Sequence, residues 1–248
     1  MRIIRDIEHC PPEWQNSVLA LGNFDGMHKG HAALINECIA IAKKLGTKPA
    51  VMTFEPHPRE FFAADKKPVS IYTFRQKAEH LKKMGIEAVF VLRFNHALAA
   101  TTAQNFVEHI LYRSLHVKHV LTGYNFAFGK GRAGNTDFMR QQAAHYGFGF
   151  STLEAVSDSG ETISTTAIRQ ALARGDIAHA SHILGHAYFL EGHVVHGNKR
   201  GQSIGFPTAN LRMHHLCPPR YGVYAVRVLV DGSWYDGIAN VGVKPTFG

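Results

Sequence analysis

Five short apolar runs, Val18–Leu21, Ala50–Phe54, Ala88–Leu92, Val117–Leu121 and Gly149–Leu153, alternate with helix-length stretches at His31–Leu45, Phe74–Met84, Ala103–Leu115 and Asp137–Tyr146. Strands of this length, apolar throughout and joined by helices of ten or more residues, pair as parallel neighbours covered on both faces. The alternation therefore predicts an α/β fold built on a doubly wound parallel sheet. Thr73-x-x-Gln76 and Thr101-x-x-Gln104 read as capping boxes, and Gly46, Gly85 and Gly147 fall where helix C-terminal caps belong. Open parallel sheets bind ligands beyond the carboxyl ends of their strands, so the loops after these runs are where chemistry is expected.

Past Gly185 the texture changes to alternating strands: Gly192–His196, Tyr221–Val230 and Trp234–Val241, with Asp231-Gly232 as a hairpin turn between the last two. The expected division is residues 1–185 for the α/β unit and 186–248 for the start of an all-β unit. So few residues rarely close a β core without disulfides or a metal, so the second unit is expected to be incomplete. No internal repeat is visible.

Composition narrows the function classes. Of 248 residues, 45% are hydrophobic and 19% charged, ample for a packed core. No uninterrupted apolar stretch is longer than that of Ala88–Leu92, and the N-terminus MRIIRDIEHCPPE lacks the apolar run of a signal peptide. Neither a membrane role nor secretion is expected. Cys10, Cys38 and Cys217 are scattered, which fits a reducing cytoplasm. His214-His215-x-Cys217 and His179-x-x-His182 lack second pairs at zinc-site spacing. The net charge of +8 suits polyanions, but no basic run exceeds two residues, which favours small phosphorylated ligands over nucleic acid.

The first candidate site is Leu21-Gly22-Asn23-Phe24-Asp25-Gly26-Met27-His28-Lys29-Gly30-His31, which joins the first expected sheet strand to the first long helix. Glycines allow close backbone approach, and a helix N-terminus offers free N–H groups and partial positive charge to an anion. His28 and His31 straddle the helix start, so both imidazoles can lean over that anion. Two donors there suit an α-phosphate that gains charge during displacement.

GNFDGMHKGH resembles the HxGH signature of the nucleotidyltransferase superfamily, in the form found in prokaryotic bifunctional FAD synthetases, which combine riboflavin kinase and FMN adenylyltransferase. Four further segments are similar to motifs of that family, in order. They are Thr53-Phe54-Glu55-Pro56-His57-Pro58, the stretch from Gly123 to Gly134 (GYNFAFGKGRAG), Ile163-Ser164-Thr165-Thr166-Ala167-Ile168-Arg169, and Gly205-Phe206-Pro207-Thr208-Ala209-Asn210. The resemblance implies a Rossmann-like nucleotidyltransferase fold followed by an incomplete riboflavin kinase barrel. It implies adenylyl transfer from ATP to FMN, giving FAD and pyrophosphate, with riboflavin phosphorylation by the second module when complete. ATP, FMN and riboflavin are then the substrates and Mg²⁺ the cofactor.

Carried over residue by residue, the resemblance implies catalytic roles for His28, His31, Ser164, Thr165 and Arg169. It implies ATP contacts at Gly22, Phe24, Asp25, Gly26, Gly30 and Thr166, and FMN contacts at Phe54, Pro56, Pro58, Asn125 and Phe128. Gly205, Pro207, Thr208 and Asn210 are expected to belong to the kinase module, with Thr208 and Asn210 as oxygen ligands for Mg²⁺ carrying ATP phosphates. Thr165 stands where the family has a second Ser, and Ala127 where it often has Arg. Physically, Ser164, Thr165 and Thr166 open a helix that ends near Arg174-Gly175, making a second anion site within reach of Arg169. The glycine-rich segment after the fourth run reads as a mobile loop whose aromatics can stack on a planar ring. Gly197-Asn198-Lys199-Arg200-Gly201 reads as a phosphate flap.

The two chemistries ask for different groups. The FMN phosphate, with a second pKa of about 6, is already mostly dianionic at pH 7 and needs alignment and charge neutralisation rather than a base. Riboflavin presents an alcohol that benefits from a positioned base, and no candidate carboxylate follows Asp236. The chain as given is therefore expected to adenylylate FMN and to phosphorylate riboflavin poorly. The rival readings are a nucleotidyltransferase with another phosphorylated acceptor, a nucleic-acid-binding protein and an idle nucleotide or flavin binder. An aminoacyl-tRNA synthetase is disfavoured because no KMSKS-like loop is present.

Overall fold

The computed structural model describes residues 1–63, 70–158, 160–195, 208–212 and 216–242. In chain order the α/β part comprises β1 (Arg2–Ile4), β2 (Val18–Leu21), α1 (Lys29–Lys44), β3 (Pro49–Glu55), α2 (Pro58–Phe62), α3 (Phe74–Lys83), β4 (Ala88–Arg93) and α4 (His96–Ala100). It continues with α5, which begins at Ala103–Asn105 and runs on as a π-helix over Phe106–Ser114, then β5 (His119–Gly123), α6 (Thr136–Tyr146) and β6 (Gly149–Leu153). The small hairpin β7 (Ser157–Asp158) and β8 (Glu161–Thr162) precedes α7 (Thr165–Arg174) and α8 (Ile177–Leu184). Six strands form one parallel sheet in the order β1-β4-β3-β2-β5-β6.

The strands alternate their side chains between two cores, as period-two geometry requires. Val18, Ala20, Val51, Val89 and Leu121 point to one face, where Leu34, Ile35 and Cys38 of α1, Leu81 of α3 and the buried residues of α7 and α8 pack. Leu19, Leu21, Met52, Phe90 and Val120 point to the other, against Phe106, Val107 and Leu111 of α5 and Met139 of α6. The sheet is doubly wound, as the alternation predicts. Chain order reverses at β2, which has β3 on one side and β5 on the other. The loops after β2 and β5 therefore diverge, and a crevice opens between them at the carboxyl edge.

Local signals hold with a few corrections. Thr73 and Gln76 form the reciprocal capping box. Gly46, Gly85 and Gly147 all take the positive φ that ends their helices. The second expected box is displaced by one residue: Thr102, not Thr101, caps α5 by accepting from the Asn105 N–H, while Thr101 closes α4. The expected α-helix over Ala103–Leu115 is π-helical for most of its length. Phe106 and Leu111, five apart and both buried, are stacked on one face by the wider turn. The fourth run forms its strand two residues later than expected, at the register where His119 meets Val18 and Gly149.

The C-terminal part contains antiparallel pairs. β9 (Val194–Val195) pairs with β10 (Asn210–Leu211), and β11 (Gly222–Val230) with β12 (Ser233–Val241) around Asp231-Gly232, both at positive φ as a tight hairpin turn requires. These strands are consistent with a riboflavin kinase barrel. The Gly197–Gly201 flap, Gly205 and Pro207 lie outside the described residues.

Candidate active site

The crevice at the switch point is a cavity of about 800 Å³ lined by the loops after β2, β3 and β5 and by the start of α7. Residues Gly22–Asp25 and His28 of the loop after β2 form part of its wall. Phe24, Gly26 and Met27 all adopt positive φ, a conformation that costs non-glycine residues about a kcal/mol or more. The fully buried Phe24 ring fixes this path, and a Cβ on Gly22 would stand 3.0 Å from it.

His28 is the N-cap of α1, and its Nδ1 accepts the backbone N–H of His31 at 3.2 Å. That bond places the ring proton of the neutral tautomer on Nε2. The His31 ring stacks on it, centroids 3.7 Å apart and 17° from parallel. Burial drops the His28 pKa to about 4, and burial with the neighbouring His28 and Lys77 drops that of His31 well below its usual value. Both rings are therefore neutral at pH 7 and bring no cationic charge to the cavity. Gly30 lets the first ring fold over the helix, since a Cβ there would lie 3.1 Å from it. The His31 Nδ1 is buried without a partner among the described residues.

Asp25 is buried between three segments. Its Oδ1 accepts the N–H groups of Ile71 and Tyr72 at 2.8 and 3.1 Å, and its Oδ2 accepts from Arg169 Nη2 at 2.7 Å. Burial raises its pKa, opposed by the Arg169 guanidinium and the two N–H groups. Its carbonyl accepts from the Thr165 hydroxyl at 3.2 Å. Ser164 caps α7, with its oxygen accepting from the Ala167 N–H. The loop after β2 and the start of α7 are thus bonded into one unit.

The third wall follows β3. His57 caps the short α2 through Nδ1, which accepts from the Arg59 N–H at 3.0 Å. Burial, with Arg169, Lys77 and Arg59 nearby, takes its pKa to about 4. Lys77 reaches in from α3 and donates to Glu55 Oε1 at 3.1 Å and Thr53 Oγ1 at 3.3 Å. Phe54 and Phe62 both meet Phe94 edge-on, at 6.1 and 5.6 Å, making an aromatic surface on the cavity.

Opposite lies the segment after β5. It is pinned rather than loose: Phe128 and Gly134 exchange two backbone bonds of 3.0 Å, and a Cβ on Gly129 would be 2.6 Å from the backbone of Ala103. Phe128 is buried in the core yet forms part of the cavity wall, and Asn125 is exposed on it.

The cavity brings together the expected residues Gly22, Phe24, Asp25, His28, Gly30, His31, Phe54, Pro58, Asn125, Phe128, Ser164, Thr165, Thr166 and Arg169. Gly26 and Pro56 do not form part of its wall. A Cβ on Gly26 would point into Ile71, Ile168 and Leu184, and Pro56 is exposed. Asp25 lines the wall, but its carboxylate oxygens are committed to protein donors. Thr208 is exposed and Asn210 half-buried in β10. Sequence reasoning assigned no role to His57 or Lys77. Lys77 carried a signal, because it lies four residues from Leu81 on the buried stripe of α3, where a lone lysine needs a partner. Among the described residues no group of three or more His, Cys, Asp or Glu is arranged to hold a metal.

Comparison with known proteins places two families on the chain. The family model for FAD synthetase matches residues 10–167, and that for riboflavin kinase matches residues 184–248. The bifunctional riboflavin kinase/FMN adenylyltransferase of Escherichia coli (strain K12) is 41% identical over 248 residues, covering 99% of this chain and 79% of the relative. The protein of that name from Bacillus subtilis (strain 168) is 38% identical over 238 residues, covering 95% and 74%. A solved structure described as a macrolide-efflux protein from Streptococcus pneumoniae superposes with a TM-score of 0.85 at 31% identity, over 99% of this chain and 80% of that one. Among the described residues here, no helix is long and apolar enough to cross a membrane.

Proposed function

The chain belongs to the bifunctional riboflavin kinase/FMN adenylyltransferase family, enzymes of FAD biosynthesis, and on that premise we propose that the cavity after β2 is where AMP passes from ATP to FMN. The observation that carries this reading is the stacked pair His28 and His31 over the N-terminus of α1, facing the cap of α7. The reading divides the chain near residue 185, with the adenylyltransferase before it and the riboflavin kinase module after it.

Magnesium bound with ATP would supply charge neutralisation on the triphosphate. The described cavity wall carries few acidic side chains for a resident ion, and one of them, Asp25, is already bonded to Arg169. Thr208 and Asn210 are the residues that would serve magnesium in the kinase module.

The acceptor phosphate is a dianion near pH 7 and attacks the α-phosphorus in line, with pyrophosphate leaving from the opposite side. No side chain has to remove a proton. His28 donates Nε2–H toward the α-phosphate oxygens, where negative charge accumulates, and His31 shields the same spot from water. Arg169, aimed by Asp25, with Ser164 and the N–H groups of Thr165 and Thr166, faces the departing pyrophosphate. Phe54 and Phe128 flank the flavin ring, and Asn125 hydrogen-bonds its edge.

The test is incubation of the protein with ATP, Mg²⁺ and FMN, followed by chromatographic separation. FAD and pyrophosphate in equal amounts are expected; consumption of ATP without FAD overturns the reading.

A further inference from the structure

We propose that His57 is the side chain that grips the phosphate of the flavin acceptor, through an Nε2–H bond to one phosphate oxygen. The proposal deepens the adenylyl-transfer reading and rests on it. Three observations carry it.

First, the His57 ring is only 7% exposed, and its Nδ1 is committed to the Arg59 N–H, so the proton of the neutral ring sits on Nε2. That Nε2 has no partner among the described residues, and the ring forms part of the cavity wall. The Nε2 atom opens on the cavity rather than being sealed in protein, so its N–H is available to a ligand there. Second, His28 is built the same way, with Nδ1 bonded to a backbone N–H and Nε2 left to the same cavity. The two rings stand on the loops of adjacent parallel strands, β2 and β3. Third, their surroundings differ. His28 rests on the long helix α1, while His57 shares the cavity wall with Phe54 and Phe62 of the aromatic surface and lies near the cations Arg59 and Lys77. An aromatic face beside a cavity-facing donor and positive charge fits a planar ring carrying a phosphate. The triphosphate of the donor belongs on the α1 side. Burial and the nearby cations keep the His57 ring neutral across the working pH range, so its single donor is always present.

Two substitutions separate this role from simple capping. His57→Asn keeps an oxygen in place to accept the Arg59 N–H but removes the donor at the Nε2 position. His57→Gln places an amide N–H near the Nε2 position and sacrifices the cap. If His57 holds the acceptor phosphate, His57→Asn raises KM for FMN about tenfold or more, with KM for ATP and the melting temperature unchanged. His57→Gln then recovers most of the FMN affinity despite a lower melting temperature. An unchanged KM for FMN in His57→Asn, or a rise confined to ATP, overturns the proposal. FMN titration of the wild type and His57→Asn, followed by flavin fluorescence, gives a readout independent of turnover. Weaker FMN binding by the variant supports the contact and equal binding overturns it, even if the wild type were to form no FAD, a result that would defeat the adenylyl-transfer reading instead.

Discussion

Arg169 and Asp25, 144 residues apart in sequence, meet in an ion pair of 2.7 Å whose carboxylate is almost fully enclosed. The pair fastens the start of α7 to the glycine loop, and Asp25 also holds the N–H groups of Ile71 and Tyr72. Asp25 thereby sets where the guanidinium points.

Asp25→Ala removes a buried carboxylate from the Arg169 guanidinium and from two backbone donors, which should cost about 3–5 kcal/mol of stability. Asp25→Asn keeps the shape and an oxygen for the Ile71 and Tyr72 N–H groups but removes the charge that aims Arg169. Thermal melts should show a large fall for the first and a smaller one for the second. Both should lose turnover. Equal melting temperatures for wild type and Asp25→Ala would mean the pair does not tie these segments together.

His28 combines two jobs that substitution can separate. His28→Ala should lower kcat by about 10²-fold or more through the lost donor, and stability by about 1 kcal/mol through the lost cap. His28→Asn should restore the cap and the melting temperature without restoring kcat. Recovery of kcat by His28→Asn would assign the ring a structural role alone.

Gly30 is a helical position where alanine is intrinsically better by about 1 kcal/mol. A Cβ there presses on the His28 ring at 3.1 Å and must displace it by a few tenths of an ångström. Gly30→Ala should therefore fall in turnover while its melting temperature holds or rises. Full turnover in this variant would show that the ring position is not critical.

The low pKa values, about 4 for His28 and His57, bind stability to pH. Unfolded imidazoles titrate near 6.5, so between pH 6.5 and 4 the unfolded chain binds more protons than the folded one. Stability from these two rings is fully present above 6.5 and declines as pH falls toward 4, by up to roughly 3 kcal/mol for each ring. Urea unfolding at pH 7.5 and 5 should show the loss, and the His28→Asn, His57→Asn double variant should show less of it, with the buried His31 ring still contributing. A wild type equally stable at both values would contradict the neutral, buried rings.

Asn125 tests the opposite wall. Asn125→Ala should raise KM for FMN more than that for ATP, and an unchanged value removes Asn125 from the flavin contact.

Much of this was legible because it is local or periodic. Continuous apolar runs separated by helices dictated the doubly wound sheet, and the capping residues Thr73 and Ser164 mark the residue before each helix begins. Three-residue β1 has too few residues to show a period, and its pairing with β4 is visible only in three dimensions. The histidine pair was readable from its spacing at a strand-to-helix turn. Its stacking, and the neutrality that follows from burial, were not. Sequence shows a carboxylate in a phosphate loop at Asp25, but not the arginine 144 residues away that pairs with it. His57 and Lys77 went unassigned for the same reason: their meaning lies in what faces them across the sheet edge.

The central claim is tested most directly by determining the structure of the protein with FMN and a non-hydrolysable ATP analogue bridged by methylene between the α- and β-phosphorus. The account predicts the α-phosphate within hydrogen-bond reach of His28 Nε2 at the start of α1, with the FMN phosphate aligned behind it. Nucleotide bound elsewhere, with both imidazoles turned away, would contradict it.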